Sequence, residues 1–98
     1  MHIVNKSPYE RNSVASCLAH AAKGSAVLLI EDAVYAATKG NAAESAVRKA
    51  LAELPVYALQ ADLEARGMQA NVIEGVKLVD FGGFVDLVAE HRTSQSWL

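Results

Sequence analysis

A chain of 98 residues has the length of one domain, and we expect residues 1–98 to form a single domain. With 52% hydrophobic and 20% charged residues, the composition excludes an intrinsically disordered chain. A formal net charge of −2 argues against direct binding of nucleic acid, because neutralising phosphates requires clustered Lys and Arg.

The sequence also predicts the compartment. No apolar run approaches the roughly 20 residues that a membrane-spanning helix needs, and the N-terminus has no signal-peptide pattern. Cys17 is the single cysteine, so an intramolecular disulfide is excluded, which fits a reducing compartment. We therefore expect a cytoplasmic protein without a membrane partner.

The first third of the chain predicts a strand, a helix and a strand. Residues 2–5 are short and β-branched, and residues 7–10, Ser-Pro-Tyr-Glu, combine a capping box with proline at the first helical position. The helix places four apolar residues at i, i+3, i+4 and i+7: Val14, Cys17, Leu18 and Ala21. Lys23 and Gly24 end this helix. The apolar run 27–30 predicts a strand that is buried on both faces.

The middle of the chain predicts two helical segments. Residues 33–39 are expected to form a helical turn or a short helix, and Asn41 with Glu44 resembles a second capping box. The helix after it carries one apolar stripe: Ala43, Val47, Ala50, Leu51 and Leu54. Pro55 ends this helix.

The remaining predicted elements are a strand at 56–59, a brief helix at 62–66 ended by Gly67, an extended pair at 72–73, a strand at 76–79 and a helix that begins at Asp80 or Gly82. The last helix is expected to turn four residues inward: Phe84, Val85, Leu87 and Val88. The tail, 92–98, is polar until Trp97 and Leu98. Trp97 has two interpretations, a core residue or an anchor for a partner.

The alternation of strands and helices predicts an α/β protein, a single-domain three-layer βαβ fold with a mostly parallel sheet of four to five strands. In such sheets, sites gather at the carboxyl ends of the strands. That edge is expected to carry Asn5-Lys6-Ser7, Glu31-Asp32, Leu59-Gln60 and Asp80.

The sequence has no motif for a cofactor. Gly-x-Gly-x-x-Gly and the phosphate-loop lysine motif are both missing, and one cysteine with three scattered histidines lacks the spacing of a metal site. We therefore expect no cofactor and no metal. Glu31 and Asp32 are adjacent rather than paired across a cleft, so a solvated strand end is the simpler interpretation.

Cys17 is the one candidate nucleophile of the sulfur type, and two interpretations of it remain open. His20 lies three residues further along the helix, within reach of the thiol at helical spacing. Against a reactive thiol, Cys17 lies in about the third turn, where the helix dipole offers little activation, and on the apolar stripe. Free cysteines at such positions are commonly small core residues.

Several blocks of the sequence resemble the DsrH/TusB family, and the resemblance covers nearly the whole chain. The blocks are Val-Asn-Lys-Ser-Pro-Tyr-Glu-Arg-Asn-Ser (4–13), Ser-Cys-Leu (16–18), Val-Leu-Leu-Ile-Glu-Asp (27–32), Val-Tyr-Ala-Leu-Gln-Ala-Asp-Leu-Glu-Ala-Arg-Gly (56–67), Val-Asp-Phe-Gly-Gly-Phe-Val-Asp-Leu (79–87) and Gln-Ser-Trp (95–97).

The resemblance implies a DsrEFH-like fold and a place in a cytoplasmic sulfur-relay complex, the DsrEFH or TusBCD heterohexamer. The partners it implies are DsrE/TusD-like and DsrF/TusC-like sister subunits and, through the complex, a DsrC/TusE-like carrier of persulfide sulfur. It also implies that the main sulfur-carrying cysteine belongs to the DsrE/TusD-like sister. The Tus branch serves 2-thiolation of the tRNA wobble uridine, and the Dsr branch serves sulfur oxidation.

Cys17 favours the DsrH-like branch, because the resemblance implies a cysteine in this helix for DsrH members and not for typical TusB members. Cys17, with His20 as its neighbour, is then a possible second persulfide site. The alternative is a purely structural interaction subunit, and an independent sulfurtransferase is the weakest hypothesis. An isolated chain that lacks its partners is expected to be able to form homo-oligomers.

Overall fold

The computed structural model describes residues 1–5, 7, 13–21, 25–91 and 95–97. The elements in these ranges are, in chain order, β1 (His2–Val4), α1 (Ser13–His20), β2 (Val27–Leu29), a 3₁₀ helix (Glu31–Ala37), α2 (Glu44–Ala50), β3 (Val56–Leu59), α3 (Gln60–Ala65), β4 (Lys77–Val79), α4 (Phe81–Glu90) and β5 (Gln95–Trp97). None of the helices in these ranges is long and apolar enough to cross a membrane.

The strands form one five-stranded sheet in the order β4-β3-β2-β1-β5, and every pairing is parallel. Val4 pairs with Leu29, and Leu29 pairs with Ala58, so the carboxyl ends of β1, β2 and β3 meet at one edge. The sheet is parallel because each connection between strands that are consecutive in the chain carries a helix, which returns the chain to the end of the sheet where the strands begin. This architecture confirms the predicted α/β class.

Two unequal helical layers cover the sheet. On one face, α1, the 3₁₀ helix, α2 and α3 enclose the larger core, whose residues include the fully buried Leu63 and Ile73. Burial of each such side chain away from water contributes roughly 1.5–3 kcal/mol to the stability of the folded chain. On the other face, α4 is the helix that packs on the sheet in the described part of the chain, through Phe84, Leu87 and Val88.

The predicted strands agree with the structure wherever a strand is a local apolar run. The strand predicted at 56–59 is confirmed at both ends, and the strand predicted at 76–79 begins one residue later. The extended pair predicted at 72–73 belongs to none of the five strands, and Val72 forms an isolated antiparallel bridge with Thr38. The fifth strand instead comes from residues 95–97, within the tail.

The predicted helices agree less well at their ends. The short helix at 33–39 is a 3₁₀ helix that begins earlier, at Glu31, and α3 begins at Gln60 rather than Asp62. The predicted start of α1 at Pro8 and its end at Lys23-Gly24 lie outside the described residues. The predicted inward orientation of Val85 was wrong, because this residue is 65% exposed.

The predicted second capping box is displaced from the start of α2. Asn41 Oδ1 accepts a hydrogen bond from the Ala43 N–H at 2.6 Å, and Glu44 Oε1 accepts one from the Gly40 N–H at 2.6 Å. The Asn41 amide also donates to the carbonyl oxygens of Ala36 and Thr38. The buried Asn41 therefore ties the end of the 3₁₀ helix to the beginning of α2.

Candidate functional site

Cys17 lies inside the larger core. Its side chain has no solvent exposure and belongs to the apolar cluster that includes Val4 and Val14. The helical spacing places it there, because Val14 and Cys17 share one face of α1. Burial raises the pKa of the Cys17 thiol to about 11, since a thiolate loses its hydration in this position.

This environment determines what the thiol can do. With a pKa of about 11, only about one Cys17 side chain in 10,000 is ionised at pH 7. The thiolate is the nucleophile in sulfur chemistry, so the folded chain presents Cys17 as a protonated and enclosed group. In the folded chain, reagents in the solvent therefore have no direct access to this sulfur.

His20 is the last residue of α1, three residues after Cys17. Its side chain lies outside the part of the chain that the structure describes. The predicted contact between His20 and the Cys17 thiol therefore stays a prediction.

The carboxyl edge of the sheet carries an ion-pair cluster. Arg66, just after α3, donates from Nε and Nη2 to Asp32 Oδ1 at 3.0 and 2.8 Å. Its Nη1 donates to the carbonyl oxygen of Asp62 at 3.0 Å, and the same nitrogen lies 3.9 Å from Asp62 Oδ1. Only 22% of the Arg66 side chain is exposed, so the guanidinium is held by its partners rather than offered to a ligand.

A strained residue lies beside this cluster. Glu31 has a φ of +50°, in the left-handed region that non-glycine residues rarely adopt. Its backbone N–H donates to Asp62 Oδ2 at 2.6 Å. The cluster thus holds the turn after β2 against the first turn of α3, with the Arg66 guanidinium between the carboxylates of Asp32 and Asp62. This geometry is that of a structural brace between the two segments.

The other predicted edge positions differ in their surroundings. Asp80 caps α4 by accepting the Gly83 N–H at 2.7 Å. Asn5 Oδ1 is buried and has no hydrogen-bond partner among the residues that the structure describes. Ser7 is buried, and Lys6 lies outside the described residues. Leu59 is buried beside the exposed Gln60.

Sequence reasoning missed Arg66 and Asp62 as members of this edge. Both were predicted only as parts of a brief helix. Arg66 meets Asp32 across 34 positions of the sequence, so no local pattern reveals the contact. The usable signal was the i, i+4 spacing of Asp62 and Arg66, which predicts that they share a helix face.

Comparisons with known proteins now identify the family. The family described as "DsrH like protein" matches residues 6–94 of the chain. The protein TusB of Photorhabdus laumondii is 35% identical, and that of Escherichia coli K12 is 33% identical, each alignment covering 99% of both chains. The chain therefore belongs to the DsrH/TusB family.

Solved structures agree at the level of the fold. The ychN protein from E. coli superimposes with a TM-score of 0.80 at 18% identity, covering 97% of this chain and 96% of its own. The protein MTH1491 from Methanobacterium thermoautotrophicum, described as of unknown function, superimposes with a TM-score of 0.75 at 17% identity, covering 97% and 94%. At these identities the likeness concerns the single-domain α/β fold alone.

Proposed function

We propose that this chain is a subunit of a cytoplasmic sulfur-relay complex of the TusBCD type. The complex passes persulfide sulfur to a TusE-like carrier for 2-thiolation of the tRNA wobble uridine. The observation that carries the proposal is the similarity to TusB proteins along 99% of both chains. The net charge of −2 supports an indirect part in the tRNA pathway, in which another protein contacts the RNA.

Within that complex, the chain serves as an assembly subunit. The burial and protonation of Cys17 support a packing role for this side chain, while a sister subunit carries the sulfur. A packing role also removes the main reason for choosing the DsrH-like branch, since a core cysteine needs no sulfur chemistry to explain it. The curated TusB relatives favour the thiolation branch, and sulfur oxidation is the alternative.

The test is the thiolation state of tRNA in a strain that lacks this chain. We expect 2-thiouridine at the wobble position to disappear, and to return when the wild-type chain or the Cys17→Ala variant is supplied. Mass spectrometry of digested tRNA provides the measurement. Unchanged 2-thiouridine together with a loss of sulfur oxidation would move the chain to the alternative branch.

The same strains test the hypothesis that Cys17 is a persulfide site. If Cys17 carries sulfur, the intact complex gains one sulfur atom on this residue after exposure to a persulfide donor, and Cys17→Ala fails to restore thiolation. If Cys17 is a packing residue, the added sulfur appears on a sister subunit and Cys17→Ala restores thiolation. The two hypotheses thus predict opposite results for one variant.

A further inference from the structure

Helix α4 is apolar, yet none of its residues is buried. The two most exposed large hydrophobic side chains in the described ranges, Phe81 at 66% and Val85 at 65%, lie one helical turn apart on it. Leu78, on the strand that leads into the helix, is 41% exposed. We call these three residues, with α4, the α4 surface.

The arrangement of α4 differs from that of an ordinary surface helix. Phe84, Leu87 and Val88 pack against the sheet, while Phe81 and Val85 extend the apolar stripe around the flank of the helix. A surface helix usually turns polar residues outward on that side, and a helix that is apolar most of the way round is usually covered. Contiguous exposed apolar patches typically mark interaction sites.

The charges around the α4 surface have one dominant sign. Residues 77–90 carry one lysine, Lys77, and three carboxylates, Asp80, Asp86 and Glu90. The remainder of the chain has eight basic and eight acidic residues, so this stretch holds the whole net charge of −2. The three carboxylates are exposed and form no ion pair with any residue that the structure describes.

This charge pattern selects the kind of partner. A two-fold dimer would bring together two copies of this patch, each with a net charge of −2, around the apolar centre. Like charges opposed across an interface disfavour that pairing. A different chain with an apolar centre and Lys or Arg at its rim would instead cover Phe81 and Val85 and neutralise the carboxylates.

We propose that the α4 surface docks a different protein chain, one that presents an apolar patch with a basic rim. This inference rests on the proposed function, which supplies the two sister subunits as the chains to be tested. The apolar centre provides the affinity, and the acidic rim, formed by Asp80, Asp86 and Glu90, disfavours a second copy and orients the partner.

The first variants test the apolar centre. The full chain is co-expressed with its two sister subunits, and the purified complex is analysed by size-exclusion chromatography with light scattering. Phe81→Glu and Val85→Glu each place a charge where an apolar contact is expected, so association should weaken about tenfold or more. The control Ala65→Glu adds the same charge at an exposed position of α3 and should leave the complex intact.

The second variant tests the rim. Neutralising both charges, with Asp86→Asn and Glu90→Gln, leaves Lys77 and Asp80 to cancel each other, and should weaken association with the sister subunits and reduce its sensitivity to salt. The same double variant removes the like-charge barrier, so the isolated chain should self-associate more strongly than the wild type. Sedimentation equilibrium of the isolated chains measures this difference.

The outcomes separate the two proposals. If the wild-type chain forms no complex with the sister subunits, the proposed function fails and the docking inference fails with it. If the wild-type complex forms and survives Phe81→Glu and Val85→Glu, the docking inference alone is overturned. An isolated wild-type dimer that Phe81→Glu dissociates would show that the occupant is a second copy, which also overturns the inference.

Discussion

Cys17 is protonated at neutral pH because its position in the fold removes the thiol from water. A cysteine side chain can act as a nucleophile. The i, i+3 spacing of Val14 and Cys17, however, places both side chains on the face of α1 that packs in the larger core. Burial then raises the pKa of the thiol to about 11. In the folded chain the thiol is therefore buried and protonated.

The raised pKa of Cys17 predicts a pH-dependent loss of stability. The unfolded thiol releases its proton near its ordinary pKa of 9.0, while the folded thiol keeps it until about pH 11. In this window the unfolded state binds fewer protons, so the free energy of unfolding falls, by roughly 2 to 3 kcal/mol in total. Urea denaturation between pH 8 and about pH 11 measures it.

The Cys17→Ala variant is the control for that experiment, because it keeps every other titrating group. The difference in free energy of unfolding between wild type and variant should be constant below about pH 9 and shrink above it. A difference that stays constant up to pH 11 would contradict the assignment of the effect to Cys17.

At the scale of elements, the turn between β2 and the 3₁₀ helix is joined to α3 by charged groups. Arg66 holds Asp32, and Asp62 accepts the Glu31 N–H, so two segments far apart in sequence meet at the carboxyl edge of the sheet. This bracing keeps Glu31 at its positive φ. The backbone strain there is offset by contacts that other elements supply.

Glycine at position 31 should therefore be tolerated. Glycine adopts a φ of +50° without a steric penalty, which offsets the conformational entropy it adds to the unfolded chain. We expect Glu31→Gly to change the free energy of unfolding by less than about 0.5 kcal/mol, or to raise it. The matched change Glu64→Gly, at an exposed position within α3, should lower it by about 1 kcal/mol. Equal losses in the two variants would show that Glu31 is unstrained.

At the scale of the whole molecule, helices cover the two faces of the sheet to different extents. One face lies under α1, the 3₁₀ helix, α2 and α3, with core residues that have almost no exposure. The other lies under α4, which has no buried residue. In the isolated chain, the helical layer on one face of the sheet therefore buries its core residues, while the layer on the other face leaves α4 partly exposed.

This asymmetry predicts a difference in local stability. In the isolated chain, backbone amides of α4 should exchange with deuterium faster than those of β2 and β3, because few buried contacts hold the helix. Addition of the sister subunits should slow exchange in α4 and leave β2 and β3 unchanged. Hydrogen exchange followed by mass spectrometry measures both, and equal protection of α4 and β3 in the isolated chain would contradict the prediction.

Sequence patterns determined the α/β class, the positions of four strands and the place of Cys17 on the apolar stripe of α1. These features follow from local runs and helical spacing, which any stretch of chain expresses by itself. Tertiary structure alone decided the pairing of Arg66 with Asp32, the strand at 95–97 and the exposure of Val85. The physical reason is that ion pairs, strand pairing and burial depend on contacts between segments that are distant in the sequence, and no local pattern specifies those contacts.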